Sequence, residues 1–368
     1  MTTVVAKIGS SSLTDASGVI VRDAIASVCS QVAELRARGD RVVVVTSAAV
    51  AAGVETLGFT QRPTDILTLQ AVSAVGQSRL MRVWDDSFAA VGLVSGQVLV
   101  TPNEFFNRRQ YLHIRDTLAR LLALGVVPVI NENDAVADDE LRFGDNDRIA
   151  ALIAHLIGAD VLVLLTDTAG LFTADPRTDP SATLIEHVDE VTTELEALAG
   201  GTGSARGSGG MSSKLRAAKI ASSSGIRAVI ADAKRAGALV EAVDEVAGVG
   251  TVVAPQARQL TARKLWIAFA GDERGTFIVD AGAQRALTER GGSLLPAGVV
   301  DVRGDIDEGD IVALCGPTGT IFARGVSRVT TNQARTLKGR RTSDLPDHAP
   351  QLFVHADDLV VLSPSGGR

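Results

Sequence analysis

The first two-thirds of the sequence alternates short apolar runs with longer stretches that have helical periodicity. The runs show almost no apolar/polar alternation, and they are Val4–Lys7, Val42–Thr46, Val126–Ile130, Val161–Thr166 and Ala228–Ala231. Strands of this kind are buried on both faces, as in a parallel sheet covered by helices. Between them, apolar residues recur at helical spacing in Arg22–Arg38, and Gly39 supplies a stop signal. The pattern predicts a doubly wound α/β domain, an open and mostly parallel sheet sandwiched by helices.

The pattern changes near Gly248–Arg258, which contains two glycines and a proline. Beyond it, short apolar runs are separated by turns rich in Gly and Asp: Leu265–Phe269, Thr276–Val279, Ile311–Leu314, Thr320–Ala323 and Asp358–Leu362. These runs predict a small, mostly β domain with one short helix around Ala283–Arg290. We therefore expect an α/β domain over residues 1–250 and a second domain over residues 259–362.

Composition excludes several classes of protein. The chain is 46% hydrophobic and 21% charged, as expected for packed cores. A net charge of -7 argues against a chain that mainly binds nucleic acid. The two cysteines, Cys29 and Cys315, offer no disulfide framework, no apolar run approaches about 20 residues, and no signal peptide is visible. We expect a cytoplasmic protein with no membrane contact.

Polar residues follow each predicted strand. Lys7 and Gly9 follow the first strand, Ser47 the second, Asn131–Asp134 the third, and Thr166 and Asp167 the fourth. Each has an ordinary explanation as a turn residue, a helix cap or a surface lysine. In an open α/β sheet, however, ligands bind at the carboxyl ends of the strands, where these residues converge.

A stretch rich in Gly and Ser, residues 200–210, leads directly into a helix start at Met211–Lys219. One interpretation is a flexible linker. The other is a phosphate-binding loop, because backbone N–H groups and a helix N-terminus attract anions and Lys214 adds charge in the first turn. The segment alone leaves both open.

Motifs that would indicate other chemistries are absent from the sequence. It has no P-loop, no protein-kinase motif, no G-x-G-x-x-G after a strand and no G-x-S-x-G, and its five histidines lack metal-ligand spacing. Two lysines with glycine-rich loops suit phosphoryl transfer, in which charge is neutralised by positioned groups. Asn and Asp side chains suit the ammonium group of an amino acid.

Several segments together resemble the amino acid kinase family, and most specifically its glutamate-phosphorylating members. They are Val4–Ser11, Thr46–Gly53 (TSAAVAAG), Ala74–Gln77 (AVGQ), Val129–Val136 (VINENDAV), Phe143–Asp147 (FGDND), Leu164–Asp167, Thr173–Arg177 and Gly209–Lys214 (GGMSSK). The resemblance implies ATP-dependent phosphorylation of the side-chain carboxylate of L-glutamate to L-glutamyl 5-phosphate, the first step of proline biosynthesis.

The resemblance also implies roles for individual residues. The glutamate site would consist of Ser47, Asn131, Asp134, Asp145 and Asn146. The ATP site would consist of Lys7, Gly9, Thr166, Asp167, Ser208, Gly209, Gly210, Met211, Ser212, Ser213 and Lys214. Lys7 and Lys214 would be catalytic, with Asp167 orienting both. Mg²⁺ would bridge the nucleotide phosphates without a protein ligand.

The sequence departs from the family pattern at two positions. Ala48 stands where the family usually has glycine, which matters if the backbone there needs a positive φ. Ser208 stands where the family usually has threonine, and the hydroxyl is kept.

The C-terminal region resembles a PUA domain, in Arg290–Gly298 and Ala323–Ser327. PUA domains are known mainly from RNA-modifying enzymes, so the alternative is an RNA-binding or regulatory protein on a kinase scaffold. A small basic cluster, Arg335, Lys338, Arg340 and Arg341, is better explained as a solvated face, and RNA binding has no other support. The resemblance further implies a homo-oligomer, dimer or tetramer, and proline as a feedback inhibitor.

Overall fold

The computed structural model describes residues 1–15, 17–105, 108–136, 146–200, 210–257, 261–269, 273–346 and 349–362. The chain divides into two compact units, Met1–Gln259 and Leu260–Arg368. Within the described residues, no helix is both long and apolar enough to span a bilayer.

An eight-stranded sheet forms the centre of the first unit. Its strands are β1 (Thr3–Ile8), β2 (Arg41–Val45), β3 (Ser95–Val100), β4 (Val127–Glu132), β5 (Val161–Thr166), β6 (His187–Val188), β7 (Arg227–Asp232) and β8 (Gly250–Val253). Their order is β3-β4-β2-β1-β5-β7-β8-β6. All neighbouring pairs are parallel except β7 and β8. The predicted fold class is confirmed.

Nine helices accompany this sheet in the described part of the unit. They are α1 (Ser10–Leu13), α2 (Arg22–Ala37), α3 (Ala49–Thr56), α4 (Ile66–Ala90), α5 (Arg108–Ala123), α6 (Asn146–Ile157), α7 (Thr193–Ala199), α8 (Met211–Ser223) and α9 (Ala238–Val243). Strands β1, β4 and β5 are buried along their whole length, which explains their continuous apolar runs. Strand β3 was not predicted, because Ser95–Val100 is only partly buried and carries glycine and glutamine.

Helices α3 and α4 approach so closely that two glycines are required. A Cβ atom on Gly76 would lie 1.8 Å from the carbonyl oxygen of Ala49, and one on Gly53 would lie 1.9 Å from that of Val72. Trp84, on the same helix α4, donates from Nε1 to Thr46 Oγ1 at 3.0 Å. Helix α4 is thereby fixed against the carboxyl end of β2.

The second unit is built on a five-stranded sheet in the order β10-β9-β11-β12-β13. The strands are β9 (Gly275–Val279), β10 (Val299–Gly304), β11 (Ile311–Cys315), β12 (Ile321–Val326) and β13 (Leu359–Val361), and the helices are α10 (Ala262–Phe269), α11 (Ala281–Arg290) and α12 (Thr331–Leu337). The mostly β character and the helix at α11 are confirmed.

One predicted strand of this unit is wrong. Leu265–Phe269 lies in helix α10, where Leu265 and Ala268 are buried one turn apart. Arg324 Nη1 donates to the carbonyl oxygen of Ala268 at 2.9 Å and so satisfies the last helical turn. A run of five apolar residues fits a strand and a buried helical segment equally well, so periodicity could not separate them.

Candidate functional site

The carboxylate of Asp147 lies between the two lysines that the sequence singled out. Asp147 Oδ1 is 2.5 Å from Lys7 Nζ, and Asp147 Oδ2 is 3.4 Å from Lys214 Nζ. Lys7 comes from β1, Asp147 from the first turn of α6, and Lys214 from the first turn of α8. Elements distant in sequence therefore meet at one point of the carboxyl edge of the sheet.

The three charged side chains are almost completely buried, at 4% exposure for Lys7, 1% for Asp147 and 5% for Lys214. Burial alone raises the pKa of Asp147. The charges of the two lysines and a hydrogen bond from Ser213 outweigh burial and hold that pKa far below its usual value. Two ammonium groups facing one carboxylate leave a net charge of about +1, which suits an anionic ligand.

Ser213 connects this cluster to the start of α8. Its Oγ lies 2.5 Å from Asp147 Oδ2 and 3.1 Å from the carbonyl oxygen of Gly210, the residue before the helix. Met211 and Ser212, in the first turn, are half-buried. The first N–H groups of a helix lack intrahelical partners, so this end of α8 is suited to an anion.

Sequence reasoning missed Asp147. The resemblance assigns Asp145 and Asn146 of the same FGDND motif to the glutamate site and gives the organising role to Asp167. Asp167 is exposed at the end of β5 and accepts a hydrogen bond from Thr166 Oγ1 at 3.2 Å. The signal was available: successive helical residues point about 100° apart, so Asn146 and Asp147 must face different neighbours.

Four amide and hydroxyl side chains form a buried hydrogen-bonded chain beside the lysines. Asn131 Nδ2 donates to Gln77 Oε1 at 2.7 Å, and Asn146 Nδ2 donates to Asn131 Oδ1 at 3.1 Å. Asn146 Nδ2 also donates to Ser47 Oγ at 3.2 Å, and its Oδ1 accepts from the backbone N–H of Glu132 at 3.2 Å. The structure thus brings three of the predicted glutamate-site residues together and adds Gln77.

Asp134 lies nearby, on the short 3₁₀ turn after β4, and is buried. Burial raises the pKa of its carboxyl group above the usual value, although a hydrogen bond from Ser73 at 2.7 Å and the charge of Arg62 oppose the rise. A cavity of about 300 Å³ adjoins it, lined mostly by polar residues that include Ser73, Gln77 and Asp134. That volume suits a ligand the size of an amino acid.

The remaining predicted residues lie at strand ends, at the start of α8 or outside the described residues. Thr166 is buried at the end of β5, and Gly210 precedes α8. At Gly9, an added Cβ would lie 3.5 Å from Lys7 Nζ, so glycine keeps space beside that ammonium group. Asp145, Ser208 and Gly209 lie outside the part of the chain that the structure describes.

Ala48, which stands where the family usually has glycine, adopts a backbone conformation that favours glycine. Its φ is 82° and its ψ is 11°, in the left-handed region, and it precedes α3 directly. An L-residue with a Cβ is strained there, whereas glycine is not. The chain therefore stores strain one residue after Ser47.

A family model for the "Amino acid kinase family" matches residues 2–232. The chain belongs to this family. A model for the "PUA domain" matches residues 275–348, inside the second unit. Both matches agree with the resemblances in the sequence.

Curated relatives of this amino acid kinase match almost the whole chain. A protein of Myxococcus xanthus called "Glutamate 5-kinase" is 48% identical over 98% of this chain and 96% of its own length. Proteins with the same name from Citrifermentans bemidjiense and Cupriavidus metallidurans are 44% and 43% identical, each over 98% of this chain and 97% of their own length.

Among solved structures, an isopentenyl phosphate kinase of T. acidophilum in a product complex matches with a TM-score of 0.50 and 21% identity. It covers 68% of this chain and 100% of that chain. At this identity the match shows the fold alone, and it agrees with the open, mostly parallel sheet of the first unit.

Proposed function

We propose that this chain is a glutamate 5-kinase, which transfers the γ-phosphoryl group of ATP to the side-chain carboxylate of L-glutamate. The observation that carries the proposal is the buried Lys7–Asp147–Lys214 cluster beside the amide chain of Ser47, Asn131 and Asn146. The relatives that match nearly end to end carry that name. The product, L-glutamyl 5-phosphate, would enter proline biosynthesis.

The reaction needs charge stabilisation more than proton transfer. A glutamate side chain is already ionised at neutral pH, so one of its oxygens can attack the γ-phosphorus without a general base. The new P–O bond forms as the bond to the β-phosphate oxygen breaks, and ADP leaves with that electron pair. Negative charge on the transferring group is met by Lys7 and Lys214, and buried, preorganised charges of this kind stabilise a transition state effectively.

Asp147 acts on the lysines rather than on the substrate. Two ammonium groups in one buried site repel each other, and the carboxylate between them offsets that repulsion. Because its pKa is held low, Asp147 stays ionised and remains an acceptor for both lysines. Both lysines then stay in place to meet the negative charge of the phosphoryl group.

The acceptor would lie between this cluster and the cavity next to Asp134. Ser47, Asn131 and Asn146 would direct the side-chain carboxylate toward the lysines, and the carboxylate of Asp134 would accept from the substrate ammonium group. ATP would lie along Gly9, Thr166, Asp167 and residues 208–214, with its phosphates at the start of α8.

Mg²⁺ would arrive with the nucleotide. Among the described residues, no group of three or more His, Cys, Asp or Glu side chains is arranged to hold a metal ion. Mg²⁺ usually binds through phosphate oxygens and waters, and its charge would then neutralise the nucleotide phosphates. We propose no direct metal ligand from the described side chains.

Trapping the product with hydroxylamine tests the function. Purified chain with ATP, Mg²⁺ and L-glutamate should give glutamyl hydroxamate in amounts that match the ADP formed. Formation of hydroxamate with a different carboxylate but not with glutamate would overturn the assignment. Inhibition by proline, a homo-oligomeric state and a cytoplasmic location stay predictions of the resemblance and the sequence.

A further inference from the structure

Gln77 lies at the end of the buried series of hydrogen-bonded amides, next to Asn131. It lies on α4 and is 9% exposed. Its Oε1 accepts a hydrogen bond from Asn131 Nδ2 at 2.7 Å, which is the shortest bond among these amide and hydroxyl groups. The close approach of α3 to α4 at Gly76, the preceding residue, fixes the backbone that carries it.

The orientation of each amide in the chain follows from its partners. The backbone N–H of Glu132 can only donate, so the oxygen Oδ1 of Asn146 must face it. The nitrogen Nδ2 of Asn146 then donates to both Ser47 and Asn131. Asn131 must then present Oδ1 to Asn146 and Nδ2 to Gln77. Asn146 is held by this backbone group, whereas Asn131 depends on Gln77 for its second bond.

Among Ser47, Asn131 and Asn146, two hydrogens remain once these bonds are counted. Within the described part of the chain, the hydroxyl of Ser47 accepts from Asn146 and keeps its own hydrogen, and Asn131 Nδ2 keeps its second hydrogen. Two donors at this end of the sheet suit the oxygens of a carboxylate. If Asn131 flipped, it would present an oxygen there, which a carboxylate would repel.

We propose that Gln77 is a positioning residue for the acceptor: it holds Asn131 so that the amide donates to the substrate carboxylate. This inference rests on the proposed function. Gln77 also lines the cavity next to Asp134, but the role proposed here is its bond to Asn131 and not a direct contact with the substrate. Since the same bond is made before and during transfer, its loss should raise KM for glutamate and leave kcat nearly unchanged.

The test uses Gln77→Met, which keeps the volume and removes the acceptor oxygen. We expect KM for glutamate to rise about tenfold, as for the loss of one oriented hydrogen bond to a charged group, with KM for ATP unchanged. Gln77→Asn, which withdraws the oxygen by one methylene, should give a smaller rise in the same direction. It serves as the test if Gln77→Met folds poorly.

Gln31→Met is the matched control. Gln31 is 8% exposed on α2, and its Oε1 accepts from the backbone N–H of Leu239 in α9 at 2.8 Å. The Gln31→Met variant loses a buried hydrogen bond of the same kind, but one between packed helices. We therefore expect its midpoint of thermal unfolding to fall by about as much as that of Gln77→Met, with no change in KM for glutamate.

A double-mutant cycle with Asn131→Ala tests whether Gln77 acts through Asn131. Gln77→Met should add almost nothing to KM in the Asn131→Ala background. An unchanged KM in Gln77→Met, an equal rise in Gln31→Met, or full additivity with Asn131→Ala would each overturn the inference. Absence of glutamyl hydroxamate in the unmodified chain would instead overturn the proposed function.

Discussion

The carboxylate of Asp147 bridges two buried ammonium groups, with 2.5 Å from its Oδ1 to Lys7 Nζ and 3.4 Å from its Oδ2 to Lys214 Nζ. No single element supplies more than one of these residues, because they belong to β1, α6 and α8. The position of both lysines therefore depends on a carboxylate that is itself held by Ser213.

Asp147→Asn should lower kcat with glutamate by about a hundredfold or more, since two buried lysines lose the charge that holds them together. Asp167→Asn is the control, because Asp167 is exposed and its side chain accepts from Thr166. We expect it to alter KM for ATP more than kcat. Steady-state kinetics of both variants decide which aspartate organises the lysines, and a larger kcat loss in Asp167→Asn would favour Asp167.

Lys214→Met should reduce kcat by roughly a hundredfold to a thousandfold, because its charge is needed most when the phosphoryl group is transferring. Binding of glutamate, measured by calorimetry, should change little. Lys219→Met removes another lysine of α8, one that pairs with Glu196 at 2.8 Å, and should leave kcat nearly unchanged. A pure KM effect in Lys214→Met would show that the assigned role is wrong.

Ser73→Ala should move the acidic limb of the pH profile of kcat/KM for glutamate to higher pH. The bond from Ser73 lowers the pKa of Asp134, so its removal raises that pKa further above the usual value. Because ionised Asp134 is the form that accepts from an ammonium group, activity is lost as pH falls through its pKa, and the loss begins earlier in the variant.

Ser30→Ala provides the control for Ser73→Ala. Ser30 is an exposed serine on α2, outside the cavity lining, and donates to the carbonyl oxygen of Ala26 at 3.1 Å. Its removal should leave the pH profile in place. An acidic limb that stays unmoved in Ser73→Ala, or shifts to lower pH, would separate Asp134 from the ionisation that governs acceptor binding.

Ala48→Gly should raise the free energy of unfolding by up to about 1 kcal/mol, since glycine relieves the strain of a φ of 82° at the cost of a more flexible unfolded chain. Ala51→Gly, inside helix α3, should lower it by about 1 kcal/mol. Urea denaturation compares the two. The same sign for both variants would mean that Ala48 is not strained.

The sheet was predictable because strands buried on both faces leave long apolar runs such as Val161–Thr166, where prediction and structure coincide. Strand β3 left no such run, and Leu265–Phe269 was too short for its periodicity to distinguish a helix from a strand. Local composition could not resolve either case, because neighbouring elements decided both.

The candidate site was predictable in its location but not in its connections. Strand ends placed Lys7, Ser47 and Asn131 at one edge of the sheet. The partners of these groups depend on helix rotation and on contacts distant in sequence, so the contacts that Asp147 and Gln77 make were found only in the structure. Ala48 is an intermediate case. The sequence showed that the alanine would matter if its φ were positive, and in the structure its φ is positive.

The most direct measurement follows the oxygen that the proposed reaction transfers. Glutamate labelled with ¹⁸O only in its side-chain carboxylate is incubated with the chain, ATP and Mg²⁺, and the product is cleaved with hydroxylamine, which attacks the acyl carbon. We expect the released phosphate to carry one ¹⁸O atom, visible as an isotope shift in ³¹P NMR, and Asp147→Asn to nearly abolish its formation. Released phosphate without label would contradict transfer to the side chain of glutamate.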